Sequence, residues 1–412
     1  MVPTLLGIML ISFIIVQFVP GGPVERYLAA ARQVESDSGG GNSVGEEMAI
    51  SDEQILQLNR LYLFDQPTII AYGMWLGVVP REYWQKDVKF DKGEDRKEVR
   101  TRGPRDKVVA VRLSDTEFEL QNPDGSANTE WLIRNVIETE FKRDEIPEGV
   151  ARAVIYRKKF EGLITGYLGE STRYNEPVWS LVRERLPVSM YYGFMMLIIV
   201  YVTSIPLGVI KALKHNTGID NWSSILVFVG FAIPGYALGS LLVTYMAARW
   251  GWFPTSGFTS NEFEDLSIWG KMWDIFYHSI LPLSCYVISG FAFVTLMMKN
   301  HLMDNLAADY VRTAVAKGVS FKNAVKKHAF RNSLIPIATN LGHQISLFLV
   351  GSFLIERIFD IEGFGLLGFE SLLDRDYPVV MGILVLTATL SMLGNILSDI
   401  LVALVDPRVR FQ

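Results

Sequence analysis

Long apolar runs alternate with polar stretches along this chain, and the runs approach the length that a membrane-spanning helix needs. A helix requires about 20 consecutive apolar residues to cross the hydrocarbon core of a bilayer. Six runs approach or exceed that length, at roughly residues 2–19, 188–213, 222–248, 278–298, 334–355 and 378–405. The pattern therefore predicts an all-α polytopic membrane protein with six transmembrane helices.

The polar stretches divide the chain into three parts. Residues 1–19 form the first predicted span, 20–186 are polar, and 187–412 hold the other five spans. The first run also has features of a cleavable signal peptide, because Ala29-Ala30-Ala31 offers small residues downstream. An uncleaved span is favoured, since no basic residues precede the run and PGGP follows it at 20–23.

A small module with β structure is predicted inside the polar region, at about residues 81–159. Residues 107–113 form an apolar-rich strand pattern, and residues 116–120 alternate polar with apolar positions. The sequence Asn122-Pro123-Asp124-Gly125 is a turn signal. The expected fold is therefore a helical membrane protein whose large loop contains a mixed or β insert.

The distribution of charge predicts the orientation in the membrane. The totals are nearly balanced, at 39 basic and 44 acidic residues. The loop at 299–336 has seven basic residues and two acidic ones, whereas the loops at 249–277 and 356–377 together have four basic and ten acidic. Because basic residues collect on the cytoplasmic side, we expect cytoplasmic termini and a periplasmic 20–186 region.

Motifs for enzymatic chemistry are missing from the sequence. It contains no GxxxxGK[ST] phosphate loop, no GxSxG elbow, no HExxH pair and no Cys/His cluster with metal-ligand spacing. We therefore expect no catalytic residues, no metal and no cofactor of its own. A nucleic-acid partner is not expected either, because no second basic surface accompanies the loop at 299–336.

Two polar residues within the fifth predicted span, Asn340 and Gln344, lie four apart and share one helix face. Polar groups in a span usually face the interior of a helix bundle or a transport route. They are candidates for lining a translocation pathway, and hydrogen bonding between helices is an equally open interpretation.

The basic loop at 299–336 carries the pattern of two short amphipathic helices. Apolar positions recur at helical spacing in the first helix, at Leu306, Tyr310, Val311, Ala314 and Val315. Gly318 is placed to end that helix, and Ser320 to cap a second one. In the second helix one face is shared by Phe321, Ala324, Val325 and His328. Cytoplasmic orientation alone explains the lysines, but it does not explain this helix–glycine–helix pattern.

The same loop resembles a known family signature. Its residues are Tyr310-Val311-Arg312-Thr313-Ala314-x-Ala316-Lys317-Gly318, then His328-Ala329-x-Arg331-Asn332 and Pro336. This pattern resembles the EAA loop of binding-protein-dependent ABC importer permeases, in the form of the dipeptide and oligopeptide branch. Blocks at 3–23, 167–189 and 363–382 extend the resemblance. Most of the branch has a proline at the position of residues 361–365, and this chain lacks it. YejB-type members also lack this proline, so the chain resembles them most.

The resemblance implies a fold, partners and a mechanism. The fold would be that of a type I ABC importer permease in the bacterial inner membrane. The partners would be a second homologous permease, two ATPase domains that bind ATP, a periplasmic peptide-binding protein and a peptide substrate. YejB-type permeases import oligopeptides and, in some bacteria, peptide antibiotics of the microcin C kind. Transport would proceed by alternating access.

The resemblance also implies which residues contact the ATPase. Two parts of the chain depart from the family pattern. The implied coupling residues are Tyr310, Val311, Arg312, Thr313, Ala314, Lys317, Gly318, His328, Arg331 and Asn332. The family pattern has no counterpart for residues 81–159. The family's basic segment before the first span is not present, so either the natural start lies upstream of Met1 or the segment was lost. A secondary peptide transporter and a membrane-anchored receptor that uses the insert remain alternatives.

Overall fold

The computed structural model describes residues 2–18, 63, 66–91, 93–101, 107–114, 117–135 and 151–405. It divides into two compact units, residues 1–12 with 169–412, and residues 13–168. Most of the polar region between residues 19 and 65, and the tail after 405, lie outside the described residues.

Helices make up most of the described chain. In chain order they are α1 Val2–Phe18, α2 Thr68–Leu76, α3 Val178–Leu213, α4 Gly218–Ala232, α5 Gly235–Leu242, α6 Ile268–Ala307, α7 Asp309–Ala316, α8 Phe321–Ala324, α9 Phe330–Val350, α10 Phe353–Ile358, α11 Phe364–Leu373 and α12 Tyr377–Val405. Helix α5 continues into a π-helical segment, Val243–Arg249, and a second one, Val325–Ala329, joins α8 to α9.

The unit of residues 13–168 contains two antiparallel three-stranded sheets. Their strands are β1 Arg81–Phe90, β2 Arg96–Arg100, β3 Lys107–Arg112, β4 Phe118–Gln121, β5 Leu132–Asn135 and β6 Ala151–Lys159. One sheet has the order β1-β6-β5 and the other β2-β3-β4. Alternate residues of both sheets meet in one apolar core that includes Phe90, Val108 and Ile155. The two ends of the module are adjacent, because Arg81 pairs with Lys159.

The strand predictions were correct for β3 and β4 and missed β1, β2, β5 and β6. Strand β3 covers most of the predicted 107–113 strand, and Gly125 closes the predicted turn by donating from its amide to the carbonyl of Asn122 at 2.9 Å. Strands β1 and β6 carry many charged residues, and these obscured the strand pattern in the sequence.

Two described helices, α3 and α12, are long and apolar enough by themselves to cross a membrane. Two bent pairs raise the number to four if each pair is one crossing. One pair is α4 with the α5 segment, which bends by 87° at Pro234, and the other is the two halves of α6, which meet at 45°. Helix α1 is shorter, at 17 residues. The count of six spans therefore stays a prediction.

Close backbone packing joins the long helices of the unit that holds residues 169–405. A Cβ added at Gly208 of α3 would lie 2.7 Å from the Cβ of Met298 on α6. A Cβ at Gly342 of α9 would overlap the carbonyl oxygen of Gly394 on α12. The Ser398 hydroxyl of α12 lies 2.8 Å from the carbonyl oxygen of Ala338 and 2.6 Å from that of Thr339. Small residues thus allow α3 to approach α6 and α9 to approach α12, as in other membrane bundles.

The helices extend further than the apolar runs that predicted them. Helix α3 begins at Val178, ten residues before the predicted span, and keeps Pro187 and Pro206 in its interior. Helix α6 has 40 residues and reaches Ala307, so the predicted loop at 299–336 includes the end of α6 and the start of α9. Polar residues hide these helix ends from a hydropathy pattern, because they affect membrane insertion more than helix formation.

Candidate functional site

The segment between α6 and α9 forms a compact turn of helices. Only Ala308, in an extended conformation, separates α6 from α7. Helix α7 ends at Ala316, and Gly318 follows with φ of +88°, a left-handed conformation that favours glycine. The amide of Val319 donates to the carbonyl of Ala314 at 3.1 Å and closes the turn. The prediction that Gly318 ends the first helix is confirmed.

The inner face of this segment packs on the ends of the long helices through an apolar seat. We define the seat by seven buried residues, which are Ala212, Met298, Leu302, Val311, Ala324, Ala329 and Ile337. Val311, the member from α7, is only 2% exposed. Because the seat draws residues from α3, α6, α7, α8 and α9, a displacement of α7 acts on several long helices at once.

The sequence pattern placed some of these side chains on the wrong face. Tyr310 and Val315, predicted beside Val311, are each 40% exposed, and Phe321 is 59% exposed. Tyr310 directly precedes Val311 on α7, and successive residues of an α-helix point about 100° apart, so the two do not share one face. His328, predicted on the same face as Ala324, is likewise exposed.

The outer face of the segment combines apolar side chains with basic ones. Its exposed residues are Tyr310, Arg312, Thr313, Val315, Lys317, Phe321, Lys322, Lys326 and Lys327. Exposed apolar anchors within a polar, charged rim are the composition of a protein–protein interface. We call this set the outer face. Its basic character favours a partner with an acidic surface.

Arg331 and Asn332, two further predicted coupling residues, lie at the start of α9, and Ala314 lies on α7. Arg331 donates from Nε to the carbonyl of Val405 at 3.0 Å, so it joins α9 to the end of α12. Asn332 is exposed and Ala314 is half-buried. Ser320 stands at the start of α8, but its side chain makes no capping hydrogen bond, so the predicted side-chain cap is wrong. The carbonyl of Ser320 instead accepts from the amides of Asn323 and Ala324, each at 2.9 Å.

Asn340 and Gln344 are both half-buried on α9. The Nδ2 atom of Asn340 lies 3.6 Å from the sulfur of Met297 on α6. This contact joins two helices, so the structure gives Asn340 an interhelical role and leaves the pathway hypothesis as a prediction.

A buried carboxylate that the sequence pattern did not reveal lies on α10. Glu356 is 1% exposed and accepts from the amide of Leu366 at 2.5 Å, and its Oε1 lies 3.2 Å from the Ser189 hydroxyl. Ser189 in turn accepts from the amide of Phe364 at 2.8 Å. Glu356 and Ser189 together satisfy amides at the N-terminus of α11 that have no partner within the helix. Burial raises the pKa of Glu356 to about 7, although these hydrogen bonds act in the opposite direction.

A buried ionic cluster of Lys211, Asp220 and Lys299 was also missed. The two lysines look like ordinary cytoplasmic-side charge in the sequence, and Asp220 lies 79 residues from Lys299. No local pattern brings them together. Within the described ranges, no group of three or more His, Cys, Asp or Glu side chains is arranged to hold a metal ion.

Comparisons with known proteins show which family this chain matches. Residues 204–411 match the family described as "Binding-protein-dependent transport system inner membrane component". A peptidoglycan transport system permease protein YejB of Agrobacterium fabrum is 33% identical over 415 residues, covering 100% of this chain and 96% of that protein. An inner membrane ABC transporter permease protein YejB of Escherichia coli O157:H7 is 41% identical over 247 residues, 59% of this chain and 68% of its own length.

Two further matches extend the comparison. An oligopeptide transport system permease protein AppB of Bacillus subtilis is 36% identical over 259 residues, covering 63% of this chain and 80% of that protein. The MetNI methionine ABC transporter, solved in inward-facing conformations, aligns with 55% of this chain and 97% of its own at 16% identity. Its TM-score of 0.42 is too low to carry an argument about this fold.

The family match over half the chain and the whole-length relative define the class of protein. This chain belongs to the binding-protein-dependent transport system inner membrane components, the permeases of ABC transporters. Both YejB permeases named above are among its relatives.

Proposed function

We propose that this chain is a permease subunit of an ATP-driven importer that carries oligopeptides from a periplasmic binding protein to the cytoplasm by alternating access. The observation that carries the proposal is the 33% identity with a YejB permease over the whole chain. The family description supports the inner membrane as its location. Both termini would lie on the cytoplasmic side, where the basic loops favour them.

Peptides are the substrate class that the relatives support. The whole-length relative is named a peptidoglycan transport permease, and a partial one an oligopeptide transport permease. Peptide fragments derived from peptidoglycan would be consistent with the transport named for both relatives. Peptide antibiotics of the microcin C type are a further candidate, and competition for uptake between the two kinds of peptide would distinguish them.

The outer face around α7 is the proposed contact with an ATPase. Tyr310 and Val315 offer apolar anchors, and Arg312 and Lys317 offer charges for an acidic partner surface. Val311 turns inward to the apolar seat, so movement of the outer face would displace the ends of the long helices. A second permease subunit and two ATPase domains would complete the transporter, with conformational change of the hinge and shear kind.

The decisive experiment replaces Gly318 by Trp. A side chain there meets open space within this chain but strains the left-handed backbone, and it would project next to the docking surface. We expect normal membrane insertion and a loss of uptake of at least about tenfold, the effect of 1.4 kcal/mol on coupling. The measurement is uptake of labelled peptide by cells, normalised to permease abundance in the membrane.

The matched control is Gly125→Trp. Gly125 has a similar φ of +84° and equally open surroundings, but it lies in a turn of the β module. It reproduces the backbone strain at a position in a different unit of the chain. Uptake by the Gly318 variant that equals uptake by this control would disprove the coupling assignment.

A further inference from the structure

Three charged side chains from three helices meet beside the apolar seat. The Nζ atom of Lys299 on α6 lies 2.8 Å from each carboxylate oxygen of Asp220, near the start of α4. The Nζ atom of Lys211, at the end of α3, lies 3.1 Å from one of the same oxygens. Lys211 is completely buried, Asp220 is 2% exposed and the Lys299 side chain is 13% exposed.

Hydrogen bonds hold this cluster in one geometry. Lys211 donates to the carbonyl of Asp220 at 3.0 Å and to the hydroxyls of Ser223 and Ser224 at 2.9 and 2.6 Å. The amide of Asn216 donates to the Asp220 carboxylate at 3.2 Å. Buried ion pairs with satisfied hydrogen bonds are directional and costly to separate. Apolar surfaces lack that directionality, so the cluster fixes an alignment that the seat alone does not.

The cluster is joined to the proposed coupling surface along the chain. Lys211 precedes Ala212 and Lys299 follows Met298, and both neighbours belong to the seat around Val311. Beyond Lys299, α6 continues as helix for eight residues, about 12 Å at 1.5 Å per residue. It ends at Ala307, one residue before α7 begins.

Asp220 connects the cluster to the bent pair of helices α4 and α5. Asp220 lies in the first turn of α4, and α4 runs to the 87° bend at Pro234. The Lys299–Asp220 contact is thus a direct polar link from α6, which carries α7, to the helix that precedes the bend.

We propose that Asp220 is a positioning residue for coupling, through which a displacement of α7 and α6 is passed to α4. The inference rests on the proposed function, since it assumes that α7 contacts an ATPase. Lys211 anchors Asp220 to α3, and Lys299 is the separable link. Loss of the Lys299 charge removes the polar link between α6 and α4 but leaves Asp220 paired with buried Lys211, so the bundle still assembles.

The test is Lys299→Met. Methionine keeps an unbranched side chain of similar length and removes the positive charge. The variant is co-expressed with the partner subunits of the importer, and the purified complex is studied in lipid. We expect normal membrane abundance and normal co-purification of the ATPase. The amount of peptide transported per ATP hydrolysed should fall by at least about tenfold. Lys299→Arg keeps the charge and should restore most of the coupling.

The control is Lys271→Met, which removes an ion pair with exposed Glu264 at 3.0 Å. Exposed pairs contribute little, so this variant should behave as the unaltered chain. An unchanged ratio of transport to hydrolysis in Lys299→Met would overturn the inference. If that variant does not accumulate, Lys299→Gln takes its place with the same criterion, because it also removes the charge but keeps a polar group beside Asp220 and leaves the Asp220–Lys211 pair intact.

The Gly318→Trp result separates this inference from the proposed function. If Gly318→Trp transports normally, the coupling surface itself is wrong. If Gly318→Trp uncouples and Lys299→Met does not, the coupling surface stands and only the Asp220 link fails.

Discussion

Glu356 shows how single residues bind separate helices together in this chain. Its carboxylate sits between the backbone at Gly351 and Gly363, where an added Cβ would overlap it, and binds the N-terminus of α11. Ser189 connects the same group to α3. The Glu356 side chain, on the six-residue helix α10, therefore connects α3 with α11. Its protonation state affects the stability of this contact.

The first prediction concerns the pH dependence of stability. The pKa of Glu356 is about 7 in the folded chain against an ordinary value of 4.5, so between these pH values the folded state binds protons more readily than the unfolded state. Stability from this group is greatest below pH 4.5, decreases as the pH rises to 7 and then stays level. The total change is roughly 3 kcal/mol.

Glu356→Gln should flatten this dependence, because an amide of the same shape does not titrate. Thermal unfolding in detergent at several pH values between about 4.5 and 7 is the measurement. Glu264→Gln is the control, because that carboxylate is exposed. A slope that persists unchanged in the Glu356 variant would show that other groups cause it.

Helix α9 shows how one element serves several purposes. It continues α8 through a π-helical segment, packs on α12 through Gly342, and presents Asn340 towards Met297. π-helical segments often lie at functional positions, because they change the helical register locally. Here the π-helical segment carries Lys326 and Lys327 of the outer face and leads directly into α9, which carries Asn340 and Gln344.

The second prediction tests that part of α9. If Asn340 and Gln344 line a translocation pathway, replacing both with Leu should lower peptide uptake several-fold with little change in membrane abundance. Thr339→Val is the control on the same helix, because Thr339 is exposed and its hydroxyl donates only to the carbonyl of Ile335, at 3.0 Å. Uptake that matches the control would leave interhelical contact as the role of these residues.

At the scale of the whole molecule, the β module is the part that the family comparison explains least. Its six strands enclose their own apolar core, and its two ends meet where Arg81 pairs with Lys159. A module with adjacent ends is inserted into a loop without separating the residues on either side. The whole-length Agrobacterium relative aligns across this region as well.

The third prediction separates a permease from a receptor. Replacing residues 81–159 by two glycines should leave the chain in the membrane and preserve most of the peptide uptake, because the outer face, the seat and the ionic cluster lie elsewhere. A receptor that senses through the insert would lose all function. The measurement is uptake per permease molecule in the membrane, and a complete loss at normal abundance would favour the receptor.

The sequence by itself determined the features that depend on neighbouring residues. Apolar runs predicted the long helices α3 and α12, because the hydrophobicity of a span is a local property. Gly318 was predicted at a helix end, since a left-handed residue is required there whatever surrounds it. The family resemblance, also contained in the order of residues, led to the membership that the comparisons confirm.

Only the tertiary structure decided which side chains meet. Val311 packs in the apolar seat, while Tyr310 and Val315 on the same helix are exposed. Asp220 and Lys299 lie 79 positions apart in the chain, yet they form a buried ion pair. The charged strands β1 and β6 became recognisable only through their pairing. Such contacts depend on how distant segments pack, and no local pattern of residues records that packing.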